Sequence, residues 1–253
     1  MSPSIWTQCA GPSETRRLSG RFQRVVEAQF RNSTRKLVDS DEEQRVLEEL
    51  LDARAKLPVP EGFENLHYLL YTPFRHPPLR NGSRFGTRHE RGILYAAREL
   101  AAAFAEVAYY RLLFLEGSAA PLAPVQVDLT AFSFRVAAQR GIDLSQPPFR
   151  RFEDRISSPV SYADAQRLGA EMRADGVQAC LYVSARARGR RLNLAVFENV
   201  FRPPRPLDEE RWACVAAHER VEFRAQRLLG ADERHAYGRE QFLVDGRLPA
   251  PAV

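Results

Sequence analysis

The chain has 253 residues, 44% of them hydrophobic, which suits one large domain, or a catalytic domain with an extension, around a substantial core. Its 37 basic residues are interspersed with 32 acidic ones, so the net charge of +5 reads as a solvated surface rather than a nucleic-acid-binding stripe. The first twenty residues mix Gln8, Glu14, Arg16 and Arg17 among short apolar stretches, and no apolar run nears membrane-spanning length; this argues against a secretory signal and a membrane span, and predicts a cytoplasmic protein.

Cys9, Cys180 and Cys214 are odd in number and far apart, so free thiols are expected rather than a disulfide framework or a zinc site. The five histidines (His67, His76, His89, His218 and His235) include no i, i+4 pair, and no metal is expected. Only Lys36 and Lys56 are lysines. Arginine presents a planar fork suited to phosphate and carboxylate, although a genome rich in G and C gives the same bias.

From Arg16 to about Asn32, Leu18, Phe22, Val25, Val26 and Phe30 recur at three- and four-residue steps and predict a helix. Ser40 and Glu43 have capping-box spacing ahead of Val46, Leu47, Leu50 and Leu51, with Pro58 and Pro60 beyond, and predict a second. Residues 1–66 are therefore expected to form a helical extension, and 67–253 the main domain. His67-Tyr68-Leu69-Leu70-Tyr71 has strand composition, stopped by Pro73, and a loop rich in Pro, Gly, Arg and Asn runs on to Gly92.

Residues 97–115 read as a buried helix, apolar on all sides yet carrying Glu106 in its middle. Ala102, Ala103, Tyr109 and Tyr110 flank that carboxylate at three and four residues, a setting in which an unpaired charge is costly. Residues 125–131 alternate as a strand, and 137–160 read as irregular connection. Ser161 precedes a helix with stripe Ala165, Leu168 and Met172, closed by Gly176. Strands over 177–184 and 192–200 follow, joined as a hairpin by 185–191, and short strands are expected near 221–225 and 241–244. Elements grouped in this way, without an internal repeat, predict an α+β fold.

No G-x-S-x-G elbow, phosphate-binding P-loop or G-x-G-x-x-G fingerprint is present. What remains is an arginine-rich loop (Arg75, Arg80, Arg84), Tyr95, Glu106 on its helix, and Ser184 and Arg186 at a strand end. Together these suit a pyrophosphate-bearing ligand and a cationic transition state. Taken singly, each has a plain structural reading: Glu106 as half of a buried ion pair, Arg84 in a turn, Tyr95 in the core, Ser184 in a hairpin.

The same residues resemble the RES-domain family, named for its arginine, glutamate and serine. Gly82-Ser83-Arg84-Phe85-Gly86 is similar to the family's G-G-R-W-N stretch, with Phe85 and Gly86 standing where many members have Trp and Asn. Gly92-Ile93-Leu94-Tyr95 is similar to the strand that follows, and Ala105-Glu106 to the helical glutamate. Tyr182-Val183-Ser184-Ala185-Arg186 with Leu192-Asn193-Leu194 is similar to the Y-x-S-x-R strand and its N-L partner. The family's first-strand Y-R has only an approximate counterpart in Thr72-Pro73-Phe74-Arg75. The resemblance covers roughly 68–200.

It implies an ADP-ribosyltransferase-like α+β fold with a mixed sheet, NAD as substrate, and growth arrest as a bacterial toxin, by NAD destruction or by ADP-ribosylation. It also implies an antitoxin with an Xre-like helix-turn-helix, through which alone DNA is contacted. Breaking the nicotinamide–ribose bond builds oxocarbenium charge that a nearby carboxylate stabilises, which makes Glu106 the expected catalytic group. Arg84, seconded by Arg75, is expected to meet the pyrophosphate with a bidentate contact. Tyr95 offers a flat face to the nicotinamide ring, Ser184 holds the nicotinamide amide or a ribose oxygen, and Asn193 braces the Ser184 strand. Transfer of ADP-ribose to water or phosphate is the leading reading and transfer to a cellular protein the alternative. A nucleic-acid-binding module or ribonuclease toxin ranks last, since no RNA-binding motif, basic helix or histidine pair for acid–base cleavage is found.

Overall fold

The computed structural model describes residues 3–28, 40, 42–43, 45–46, 50, 57–76, 80–118, 123–227 and 232–251. Eight strands, β1 (Arg16–Glu27), β2 (Leu94–Ala97), β3 (Val125–Asp143), β4 (Ala179–Val183), β5 (Leu192–Val196), β6 (Asp208–Ala217), β7 (Arg220–Ala225) and β8 (Arg234–Gly238), form one sheet in the order β1-β2-β5-β4-β3-β6-β7-β8. β1 also pairs antiparallel with β3, so five strands close a circuit β1-β2-β5-β4-β3, from which β6, β7 and β8 extend as antiparallel neighbours. The β3–β4 ladder is parallel, which makes the sheet mixed. Helices with both ends described are α1 (Ile5–Gln8), α2 (Tyr68–Arg75), α3 (Leu100–Glu116), α4 (Glu153–Ile156) and α5 (Ala163–Ala174). The architecture is α+β, as the sequence predicts.

Among the described residues, three large apolar cores and a small alanine cluster (Ala97, Ala102, Ala103) hold these layers. Leu18, Phe22, Phe132, Phe134, Leu181 and Leu194 fill the first, against Leu69, Leu70 and Phe74 of α2. The second packs Leu168 and Met172 of α5 on Cys180, Tyr182 and Ala195. In the third, Phe104, Ala108 and Leu112 of α3 meet Trp212 and Phe223 of β6 and β7, with Phe104 stacked on Phe223. Cys9, Cys180 and Cys214 are buried and unbridged.

Several expected elements differ. The helix expected over 16–32 is the strand β1 as far as Glu27, with 29–32 outside the described residues. The cause is arithmetic: Leu18, Phe22 and Val26 are four apart, a spacing that one helix face and one strand face share. In the strand all three join the first core while Val25 turns to the other side, so residues 16–27 belong to the main sheet and not to a helical extension. The second expected helix does not differ as far as it is described: Ser40 and Glu43 exchange capping contacts, at 3.3 and 3.2 Å, and residues 42–43, 45–46 and 50 are helical, while Leu47 and Leu51 lie outside the described residues.

The strand expected at 67–71 is α2. The His67 ring caps the Leu69 N–H, and Leu69, Leu70, Pro73 and Phe74 are buried along one face, a helical repeat that five residues are too few to show. The strand β3 runs on to Asp143 where irregular chain is expected, and the stretch 149–156 consists of short helical turns. β6 and β8 are unanticipated, and residues 239–242 form a helical turn instead of a strand. The β4–β5 hairpin, α3 and α5 with Gly176 at positive φ match expectation.

Candidate active site

One face of α3, part of β1, the β2–β5 edge and the loop before β2 enclose a cavity of about 600 Å³, within the usual range for small-molecule sites. The loop is shaped by a reversal in which the Ser83 N–H donates to the Gly86 carbonyl at 2.7 Å. Gly82 enters it at φ +72, where a Cβ would also strike the Gly86 carbonyl. Helix α5 fixes the loop from outside: the Gln166 amide donates to the Asn81 and Ser83 carbonyls at 3.0 and 3.1 Å, and Arg173 donates to the Phe85 carbonyl at 2.7 Å. Gly169 lets the helix come this close, since a Cβ there would collide with the Phe85 backbone.

Glu106 faces the cavity from the middle of α3. Among the described residues it is not in an ion pair. Ser184 Oγ and Asn193 Nδ2 each donate to its Oε1 at 2.7 Å, and among the described residues Oε2 accepts no hydrogen bond. Ser184 in turn has both acceptor positions filled, by the N–H groups of Arg186 at 3.1 Å and Ala187 at 3.0 Å. A hydroxyl has one proton and two lone pairs, so this pattern directs the Ser184 proton to Glu106 and leaves nothing over for a ligand. Ser184 is thus engaged wholly within the protein, where a direct ligand contact was expected. Asn193 is buried across the β4–β5 hairpin and supplies the second donor.

Tyr95 also lines the cavity, and its hydroxyl pins the loop through Ser83 Oγ at 2.9 Å and the Phe85 N–H at 3.0 Å. Burial pushes its phenol well above the usual range, so it stays neutral. Tyr182 is raised likewise, by burial and then by the nearby Glu106 charge. Arg84 is 7% exposed and already engaged: Nη1 donates to the Ile156 and Ser158 carbonyls at 3.1 and 3.0 Å, and its guanidinium lies 4.7 Å from the Tyr162 ring centre. It borders the cavity, yet much of its donor capacity holds the 156–158 segment.

Arg75 and Arg80 are not brought to the site. Neither lines the cavity; Arg75 ends α2 and donates from Nε to the Leu57 carbonyl at 2.7 Å. Arg24, which sequence reasoning passes over, lines the cavity where Arg75 does not. It lines the cavity from β1, one terminal nitrogen donates to the Tyr95 carbonyl, and Nε is enclosed without a partner among the described residues. Desolvation pulls its guanidinium down to about 10, still a cation at neutral pH. The signal was present in Phe22-Gln23-Arg24-Val25-Val26, an arginine inside an apolar run, but a helical reading of that run hides it.

The family model described as the RES domain matches residues 59–216. The chain belongs to the RES-domain family. Its loop, Tyr95, Glu106, Ser184 and Asn193 all fall inside the matched RES span, whereas Arg24 and the whole of β1 precede it and β7 and β8 follow it. No curated protein matches the chain. Among solved structures, it is similar to a chain of the M. tuberculosis MbcT–MbcA toxin–antitoxin complex, at 15% identity and a TM-score of 0.48, over 82% of this chain and 91% of that one. Among the described residues of this RES protein no helix is long and apolar enough to cross a membrane.

Proposed function

We propose that this RES-domain chain is the toxin of a bacterial toxin–antitoxin pair and that it breaks the nicotinamide–ribose bond of NAD, passing ADP-ribose to water or phosphate. The supporting observation is the Glu106 carboxylate, held by two donors on Oε1 with Oε2 accepting no hydrogen bond from the described residues, on the wall of a cavity of about 600 Å³. A carboxylate fixed in this way needs no reorganisation as positive charge grows on the ribose, which is the condition for electrostatic stabilisation of an oxocarbenium transition state. Its donors come from Ser184 and Asn193 on one rigid hairpin, so the oxygen is held where the chemistry requires it.

The remaining groups divide the ligand between them. Arg24, with Arg84 behind it, meets the pyrophosphate by charge-assisted hydrogen bonds. Neutral Tyr95 and Tyr182 present ring faces to the cationic nicotinamide, an attraction of about 0.5–2 kcal/mol. The partner in this reading is the antitoxin with an Xre-like helix-turn-helix that the family resemblance implies.

Purified protein incubated with NAD, with and without phosphate and with and without cell lysate, and analysed by mass spectrometry tests the proposal. Release of nicotinamide with ADP-ribose or its 1-phosphate is expected. A modified lysate protein with no free product would shift the reading to ADP-ribosyl transfer, and intact NAD under all conditions would overturn it.

A further inference from the structure

The wall that α3 gives to the cavity changes in character along its length. Ala103, Glu106, Val107, Tyr110, Arg111 and Phe114, at three- and four-residue steps, all face it. Phe114 stands eight residues beyond Glu106, about 12 Å at helical rise. Beside this face stand two cations that line the cavity, Arg111 on α3, ion-paired with Glu27 of β1, and Arg24 on β1. At the outer end the wall becomes aromatic and open, with Tyr110 51% and Phe114 63% exposed. Neither ring serves the core, because the opposite side of α3, with Phe104, Ala108, Leu112 and Leu115, does that and is buried. A hydroxyl contact of 3.3 Å with Tyr162 steadies the Tyr110 ring.

Large aromatic rings one turn apart and left in water at the end of a cavity are costly unless something covers them. The order carboxylate, cations, aromatic faces repeats the order of groups in an adenine dinucleotide: reacting ribose, pyrophosphate, purine. We propose that Phe114, with Tyr110 beside it, is the stacking platform for the purine base of the substrate, and that Arg111, shared with its Glu27 partner, faces the adjacent phosphate; this rests on the NAD reading above. A base presents its π-face to such a platform whatever its edge, and the neighbouring cations select a base that carries phosphate. Phe114 thereby contributes to holding the substrate and not to the bond-breaking step.

The test uses the full-length chain and 1,N6-ethenoadenosine diphosphate, whose fluorescence reports stacking of the base. Phe114→Leu keeps apolar bulk without a π-face, and at 63% exposure it should leave thermal unfolding unchanged. The expected result is probe affinity weakened roughly five- to thirty-fold, a matching rise in KM for NAD, and an unchanged kcat, with Phe114→Trp restoring affinity and KM. If Phe114→Leu binds the probe and NAD within twofold of wild type, the platform is wrong. The two readings fail separately: a wild-type protein that releases no nicotinamide from NAD sinks the dinucleotide reading itself, whereas normal release with an indifferent Phe114→Leu sinks only the subsite.

Discussion

Ser184→Ala removes one oxygen and disturbs three contacts. The hydroxyl is 6% exposed, donates to Glu106 at 2.7 Å and accepts from the N–H groups of Arg186 and Ala187 at 3.1 and 3.0 Å. A hydrogen bond to a charged group is worth about 1.5–3 kcal/mol, and a buried donor left without a partner costs about 1–3 kcal/mol. With water replacing part of what is lost, the net destabilisation is about 3–5 kcal/mol. At roughly 2–4 °C per kcal/mol for a chain of this size, the melting temperature falls by about 6–20 °C. Thermal unfolding followed by circular dichroism measures this. A double-mutant cycle with Glu106→Gln isolates the shared contact, and the two changes together should cost less than their sum. A Ser184→Ala protein melting within about 2 °C of wild type would refute the placement of the hydroxyl as the hub between the hairpin and α3.

Two further outcomes separate binding from scaffolding. Arg24→Lys should raise KM for NAD while leaving unfolding nearly unchanged, because lysine keeps the charge but not the fork; Arg84→Lys should chiefly lower stability, by releasing the Ile156 and Ser158 carbonyls, and the reverse pattern in paired kinetics and melts would exchange their roles. Burial alone would raise the Glu90 carboxyl, but the Thr87 N–H and Arg173 outweigh it and hold the pKa below the usual range. Its stabilisation of the loop is therefore in place above the unfolded value near about 4.3 and lost as pH falls through the folded pKa. The melting gap between wild type and Glu90→Gln should narrow from pH 7 to pH 3, and a gap of constant size would show that Glu90 is not ionised against Arg173.

Legibility in the sequence followed the range of the interactions. The β4–β5 hairpin and α3 could be read because their signals are local: alternation and a turn in one, a long apolar helical run in the other. The run His67–Tyr71 misleads because α2 is defined by what it buries against the sheet and Phe201, contacts remote in the chain. β1 is ambiguous in principle, since four-residue spacing satisfies both periodicities, and only its ladder with β3 decides between them. The site was legible where motif and local geometry coincide, at Glu106, Tyr95 and Ser184. It was illegible where the contact is long-range: Arg24 reaches the cavity only because β1 closes the circuit between β2 and β3, while the Arg75 side chain, although Pro73 and His76 beside it line the cavity, turns to the Leu57 carbonyl instead.

Nicotinamide release by Glu106→Gln against wild type tests the central claim most directly. The amide is nearly isosteric and lacks only the charge, so the variant should fold as wild type does and bind NAD by calorimetry, with kcat reduced by at least about 10²-fold, the scale of losing one electrostatic stabiliser of a transition state. A folded Glu106→Gln protein that releases nicotinamide at the wild-type rate would contradict the assignment of the carboxylate, and with it the account of the cavity as an NAD-cleaving site.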